Sequence, residues 1–281
     1  MAVIQRDRAD GRAMRDVELM PEPAPGMHTF FRDVLRALSE GGVPFLVGGG
    51  YAMRQLAGVT RNSRDLDVFV APADVEDLRG LLTPRGYSVE TSFKHWLSKV
   101  RDGEHYVDVI HNSGNGATPV DDDWFEHSIA GTLWGLPLRL CPPEEMIWSK
   151  SFVMERERCD VADVAHLIRA LGPRLDWARL LDRFGECWRV LHAQLVLFGF
   201  VYPGEIDKVP SWIVEELAGR MLREHARPSA WSDRVCRGTL LSREQYLVDV
   251  RDWGYRDARL RPEGGMRPSD VEGWTAAIPK R

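Results

Sequence analysis

The chain has 281 residues, and its content of 44% hydrophobic and 28% charged residues is typical of a folded globular protein rather than a disordered one. The formal net charge of -5 gives no global basic signature, so a nucleic acid would have to bind a local patch. The 4 cysteines form no C-x-x-C pair, and no stretch has the character of a signal peptide or a membrane span, which predicts a cytoplasmic protein without zinc knuckles, disulfides or membrane contacts.

The first half of the chain alternates between helix and strand patterns. Residues 1–26 are rich in Arg and Asp and end in PEPAPG, which predicts a flexible N-terminal arm, and a helix follows up to Gly41. The elements predicted next are a strand at 43–47, a helix at 51–58, a strand at 65–70, a helix at 72–82, and extended segments at 87–92, 95–100 and 105–110. This order predicts an α+β (α/β) sheet domain over residues 27–140.

The pattern becomes helical after Pro142-Pro143. The predicted helices lie at 143–157, 159–171, 177–198 and 211–225. They predict a helical domain over residues 141–226 that packs on the sheet domain and completes a cleft. Residues 227–281 are predicted to be a less regular, charged C-terminal extension.

Two aspartates stand close together on one predicted strand. Asp65 and Asp67 in DLDVFV are separated by one residue, and alternate side chains of a strand point to the same face. Two neighbouring carboxylates resist joint ionisation unless a cation lies between them, and hard oxygen ligands suit Mg²⁺. An isolated D-x-D is more often a cap or part of a solvated strand face, so the surrounding residues decide the interpretation.

Three features around the aspartates favour a phosphate and metal site. The glycines at 48–50 end a strand just before a helix, where backbone N–H groups and the helix dipole favour an anion. Arg61 and Arg64 flank the aspartates, and a guanidinium binds phosphate in a bidentate manner. Asp108 lies in the apolar strand YVDVI, where an isolated carboxylate would be unfavourable.

The run VGGGYAMRQLAGVTRNSRDLDVFV resembles the signature of the DNA polymerase β-type nucleotidyltransferase superfamily. Members have a Gly-Gly or Gly-Ser turn, a helix, a D-x-D strand and a third carboxylate on a later strand. Gly48-Gly49, Asp65-Leu66-Asp67 and Asp108 match these elements in order, which implies a mixed sheet flanked by helices. One departure is Gly50, where a small hydroxyl residue is common, so that a side-chain contact to the donor phosphate would be missing.

Residues 61–67 read R-x-S-x-D-x-D, with Ser63 in the third position. This motif is similar to that of the AbiEii-like abortive-infection nucleotidyltransferases, which are toxins of bacterial toxin–antitoxin pairs. Those proteins also carry a later lysine followed by a charged helix with spaced aspartates, and Lys150 followed by Asp160 and Asp163 looks like this second motif. The alternative interpretation of these three residues is a solvated helix pair.

The resemblance implies a transferase that moves a nucleoside monophosphate from a nucleoside triphosphate to a hydroxyl acceptor, with two Mg²⁺ ions, or Mn²⁺, as cofactors. Asp65, Asp67 and Asp108 would be catalytic and would bind the metal, and Lys150 would be catalytic by neutralising charge. The implied nucleotide-binding residues are Gly48, Gly49, Gly50, Arg61, Ser63, Arg64, Asp160 and Asp163.

The acceptor stays open between an RNA end such as that of tRNA, a protein hydroxyl, and a small molecule such as an aminoglycoside or lincosamide. The resemblance points to a toxin with an antitoxin protein as partner, and an antibiotic-modifying enzyme is the alternative. A catalytically silent nucleotide-binding or partner-binding module is a third hypothesis. Four tryptophans near the predicted cleft could stack a base, although core packing is their commoner use: Trp96, Trp124, Trp134 and Trp148.

Overall fold

The computed structural model describes residues 25–60, 63, 65–226, 234–261 and 264–278. The predicted N-terminal arm up to residue 24 lies outside the described residues, as do Arg61 and Arg64. None of the described helices combines the length and the apolar character needed to cross a membrane.

Seven strands of the described chain form one sheet. They are β1 Leu46–Val47, β2 Leu66–Phe69, β3 Ser88–Phe93, β4 Leu97–Asp102, β5 His105–Ile110, β6 Ile129–Leu133 and β7 Leu136–Leu140. Their order across the sheet is β3-β4-β5-β2-β1-β7-β6. β2 runs parallel to β5 and β1 runs parallel to β7, whereas the other neighbours are antiparallel. This mixed sheet confirms the predicted fold class.

Helices flank the sheet and dominate the chain after it. They are α1 Pro25–Glu40, α2 Gly49–Ala57, α3 Val75–Leu82, α4 Asp122–Glu126, α5 Pro143–Ser151, α6 Val161–Leu171, α7 Trp177–Phe184, α8 Trp188–Val201 and α9 Ser211–His225. In α1, Phe31, Leu35 and Leu38 recur at helical spacing and are all buried, which is why this stretch forms a helix against the core. α2 packs on both β2 and α6, and it therefore joins the helical region to the sheet beside the D-x-D strand.

Two of the helix predictions were too long. The helix predicted at 143–157 ends with α5, because the chain then forms a bridge between Met154 and Cys159. The helix predicted at 177–198 divides into α7 and α8 at Gly185, whose φ of +46 lies in the left-handed region. Both predictions followed helical periodicity, which does not detect a short bridge or a positive φ.

The hairpin of β6 and β7 was missed in the sequence. Its signal is the alternation of Leu136, Leu138 and Leu140 on β7. The turn consists of Trp134 and Gly135 with φ values of +49 and +76, which is the backbone of a two-residue hairpin turn. A tryptophan is rare in the left-handed region, and this made the turn hard to predict.

Residues 234–278, apart from the two that are not described, form a folded unit that is called here the C-terminal segment. It contains β8 Val235–Cys236 and β9 Arg256–Asp257, which pair in parallel, together with α10 Leu247–Arg251 and α11 Pro268–Ala276. Arg259 is 1% exposed and forms an ion pair of 2.6 Å with Asp257, which ties the segment together internally. α11 packs against β3, and the segment therefore lies on the sheet.

Candidate active site

Three carboxylates converge on one face of the sheet. Asp67 on β2 lies directly opposite Asp108 on the parallel neighbour β5, and Asp65 lies just before β2 on the same face. Each of the three side chains offers an oxygen within 4.8 Å of the other two. Strand alternation and the parallel pairing of β2 with β5 are therefore enough to assemble the acidic cluster.

The turn from β1 into α2 is packed against Asp67. The N–H of Gly48 donates to the Asp67 carbonyl oxygen at 3.0 Å, and α2 begins at Gly49. Gly49 has a φ of +55, and a Cβ built on it would lie 1.6 Å from Asp67 Oδ2. Glycine is therefore required here both by the backbone conformation and by the position of the carboxylate.

The serine of the R-x-S-x-D-x-D motif lies over the first turn of α2. A Cβ built on Gly50 would be 3.2 Å from Ser63 Oγ. The Ser63 hydroxyl donates to Asp65 Oδ1 at 2.9 Å. A hydroxyl group is thus present beside Gly50, although Gly50 itself supplies none.

The carboxylates disfavour one another's charge. Burial, followed by the charges of Asp65 and Asp108, raises the pKa of Asp67 to about 7, against a smaller opposing effect of Lys150. Burial also raises the pKa of Asp108, although Lys99 donates a hydrogen bond to that carboxylate. A divalent ion between the carboxylates would favour their ionised forms and oppose this rise in pKa.

Lys150 faces the acidic cluster from α5 and is held by two aspartates. Its ammonium donates to Asp160 Oδ2 at 2.8 Å and to Asp163 Oδ2 at 2.7 Å, and all three residues are buried. Arg158 donates to both oxygens of Asp160, at 3.0 and 2.9 Å. Burial raises the pKa of Asp160, but the hydrogen bond from Arg158 and the charge of Lys150 outweigh it and lower that pKa to about 2.

These groups line one cavity of about 650 Å³, a size that suits a small-molecule ligand. The predicted site residues in its lining are Gly49, Gly50, Ser63, Asp65, Asp67, Asp108, Lys150 and Asp160. Gly48 lies beneath the Phe69 ring, where an added Cβ would come within 2.3 Å of Phe69 Cε2. Asp163 contacts Lys150 and is not part of the lining.

The cavity also contains residues that sequence reasoning missed. Arg158, Arg243 and Trp274 all line it. The run ERERCD places Arg158 next to Asp160 and could have identified it, whereas no pattern links the C-terminal segment to the acidic motifs.

The four tryptophans singled out in the sequence fall into two groups. Trp124 and Trp148 are buried in the core, at 0% and 7% exposure, and Trp134 packs its ring against Tyr51. Trp96 lines the cavity.

One of the comparisons with known proteins identifies a family. A family model described as an uncharacterised nucleotidyltransferase matches residues 26–198. No curated protein sequence matches the chain.

Several solved structures are similar at low identity. The antibiotic-resistance factor ANT(2'')-Ia is 20% identical, with 70% of this chain and 92% of that chain covered and a TM-score of 0.34. The lincosamide antibiotic adenylyltransferase LnuA, in its lincomycin-bound form, is 16% identical, with 52% of this chain and 97% of that chain covered and a TM-score of 0.37. JHP933 from Helicobacter pylori is 11% identical, with 73% of this chain and 98% of that chain covered and a TM-score of 0.36.

Proposed function

The chain belongs to the nucleotidyltransferase family whose model spans residues 26–198, and we propose that it transfers a nucleoside monophosphate from a nucleoside triphosphate to a hydroxyl acceptor in a Mg²⁺-dependent reaction. The observation that carries the proposal is the convergence of Asp65, Asp67 and Asp108 within 4.8 Å of one another, beside the glycine turn. A cluster of this kind is unfavourable without a cation, and a glycine turn at the start of a helix favours a phosphate group.

The cluster fits a divalent metal ion. Each carboxylate offers a hard oxygen ligand. Burial, followed by the charges of Asp65 and Asp108, raises the pKa of Asp67, and a bound cation would oppose this rise. Asp65, Asp67 and Asp108 would hold one or two Mg²⁺ ions. When bound, these ions would neutralise phosphate oxygens and lower the pKa of the acceptor hydroxyl.

The start of α2 would receive the donor phosphates. The first hydrogen bond within α2 runs from the Ala52 N–H to the Gly48 carbonyl oxygen, so the N–H groups of residues 49–51 precede the helical ladder. These groups and the helix dipole favour negative charge at this point. The Ser63 hydroxyl beside Gly50 would serve the site indirectly, because it donates its one proton to Asp65 Oδ1 and would position that carboxylate.

Lys150 and Arg158 would neutralise the charge that develops on the leaving group. An ammonium has three donors, of which Asp160 and Asp163 accept two, so a third can be donated to a phosphate oxygen. In the reaction the acceptor oxygen forms a bond to the α-phosphorus, and the bond from that phosphorus to the β-phosphate bridging oxygen breaks. Pyrophosphate leaves, and the acceptor proton passes to Asp108, which Lys99 orients.

Replacing Gly49 by alanine is expected to reduce transfer by about a hundredfold, because the new methyl group would displace the Asp67 carboxylate, and misplacement by about 1 Å has such an effect. Gly58→Ala is the matched control. Gly58 also has a positive φ, of +70, but an added Cβ would meet nothing within 4 Å. Melting temperatures of both variants measure the backbone strain that the two substitutions share, and steady-state rates measure the loss of the site, which is expected only in Gly49→Ala. Equal activity losses would contradict the prediction.

Incubation with each of the four α-labelled nucleoside triphosphates, Mg²⁺, and either total RNA or a small-molecule extract tests the proposal directly. We expect label to appear on one class of acceptor, with release of pyrophosphate, and to be lost when the metal is chelated. If none of the four nucleotides binds or is transferred, the proposal fails and the catalytically silent binding module becomes the better hypothesis.

The same experiment addresses the biological role. The narrower similarity to AbiEii-like toxins, with an antitoxin partner, stays a prediction, because the matching family model carries only the broader description. Label on RNA together with growth arrest on expression would support the toxin hypothesis. Label on an aminoglycoside or a lincosamide would support the antibiotic-modifying alternative.

A further inference from the structure

The C-terminal segment bridges the two sides of the cavity. On the sheet side, Asn115 donates its side-chain N–H to the carbonyl oxygen of Leu240. On the helical side, the N–H of Met154 donates to the Leu241 carbonyl oxygen at 3.1 Å, and Ser242 Oγ donates to Glu155 Oε2 at 2.7 Å. This segment lies beyond residue 198, where the family match ends, yet it forms one wall of the cavity.

Trp274 fixes this wall to the sheet. A Cβ built on Gly114 would be 2.6 Å from Trp274 Cζ2, so the indole lies directly on that glycine. The Trp274 ring centroid is 4.8 Å from that of Phe93 and 5.2 Å from that of Trp96. The guanidinium of Arg243 lies over the indole, 4.4 Å from its centroid.

This wall and the acidic cluster line the same cavity, and the register of β4 and β5 sets Trp96 apart from Asp108 along the sheet. Asp108 pairs with Lys99 across β4 and β5, whereas Ile110, two strand residues or about 7 Å further along β5, pairs with Leu97, the residue that follows Trp96. If the donor phosphates lie at Asp65, Asp67 and the glycine turn, the ribose and the base can extend along the β5 face toward Trp96 and the C-terminal segment.

The chemistry of the wall suits a flat heteroaromatic ring. Indole and guanidinium groups stack on nucleobases with little dependence on their identity. Trp96 adds a second indole, because it lines the same cavity and its ring packs against that of Trp274. The carboxylate of Glu155 is already engaged by Ser242 and by the N–H of Arg243, and it offers little to a cationic group.

We propose that Trp96, Arg243 and Trp274 form the base subsite for the donor nucleotide, so that the C-terminal segment, and not only the part matched by the family model, determines which nucleoside triphosphate binds. This inference rests on the proposed function, because it places the donor phosphates at the acidic cluster. It adds a binding role for residues that the acidic motifs do not identify.

Binding measurements with two ligands test the subsite. Calorimetric titration would compare the Mg²⁺ complex of the tightest-binding nucleoside triphosphate with Mg²⁺-tripolyphosphate, which has no base. In Trp274→Ala and Arg243→Gln, affinity for the nucleotide should fall by about tenfold, as expected for a lost stacking partner, while affinity for tripolyphosphate is unchanged. Trp274→Phe, which keeps a ring, should retain most of the nucleotide affinity.

Trp253→Ala provides the control within the same segment, because Trp253 is 58% exposed and does not line the cavity. Circular dichroism and melting curves would show that each variant is folded. Equal losses for both ligands, or no loss for either, would overturn the base subsite while leaving the proposed function intact. A wild-type chain that binds neither ligand would instead contradict the proposed function.

Discussion

Replacing Asp67 by asparagine is expected to reduce nucleotide transfer by about a thousandfold or more, since a metal ion contributes several kcal/mol to stabilising the transition state. Asp67 is the central member of the cluster, because it lies opposite Asp108 and against Gly49. Asparagine keeps the size of the side chain but removes the negative charge that would bind the metal. Rates with saturating Mg²⁺ and nucleotide measure the loss.

The same variant should be at least as stable as the wild type in metal-free buffer at pH 8. The pKa of Asp67 is raised to about 7 in the folded protein, above its ordinary value of 3.8, so the folded state binds more protons between these values. Stability contributed by the protonated form is therefore present at low pH and lost as the pH rises through about 7. Asparagine carries no charge at any pH, so the variant does not lose this stability as the pH rises. Such a gain is expected when a residue serves function at a cost in stability.

Asp207→Asn is the control, because Asp207 is exposed and does not line the cavity. It should leave both the rate and the melting temperature unchanged. Transfer that survives in Asp67→Asn would contradict the assignment of Asp67 as a metal ligand. A melting temperature several degrees below that of the wild type in metal-free buffer would contradict the stability prediction.

The part of the site that could be predicted is the part built by local rules. Alternation on β2 places Asp65 and Asp67 on one face, and an apolar strand such as that around Asp108 must lie inside a sheet. Gly49 was predicted to belong to a phosphate-binding turn. Its contact with the Asp67 carboxylate was not predicted, because that contact depends on how α2 packs on β2. The position of Ser63 over Gly50 depends on the chain path between those two elements in the same way.

The opposite wall of the cavity could not be predicted, because its residues come together only through long-range contacts. Trp274 reaches the cavity by packing on Gly114, and no periodic pattern links two positions so far apart in the chain. Short elements such as β8 and β9 bury little surface of their own, so their sequence carries a weak signal. The charged composition of the C-terminal segment predicted a less regular extension and gave no indication that it lines the site.

Lys150 connects the predicted and the unpredicted halves of the cavity. Its ammonium donates to Asp160 and Asp163, and its charge partly opposes the rise in the pKa of Asp67. A buried ammonium with two buried carboxylates is a structural unit as well as a candidate phosphate ligand, and replacing it tests both roles.

Replacing Lys150 by methionine is expected to destabilise the fold by about 3–5 kcal/mol, because it leaves Asp160 and Asp163 buried without the ammonium. Urea unfolding measures this change. Arg36→Met is the matched control, since Arg36 is 48% exposed and 3.7 Å from Asp33, and an exposed pair contributes less than about 1 kcal/mol.

A triple variant separates the two roles of Lys150. Combining Lys150→Met with Asp160→Asn and Asp163→Asn removes the buried charges together, and most of the lost stability should return. Transfer activity should not return with it, because the ammonium that faces the donor phosphates is still absent. If the triple variant regained wild-type activity, Lys150 would contribute only to folding. Of the two cations assigned to the leaving group, Arg158 alone would then neutralise its charge.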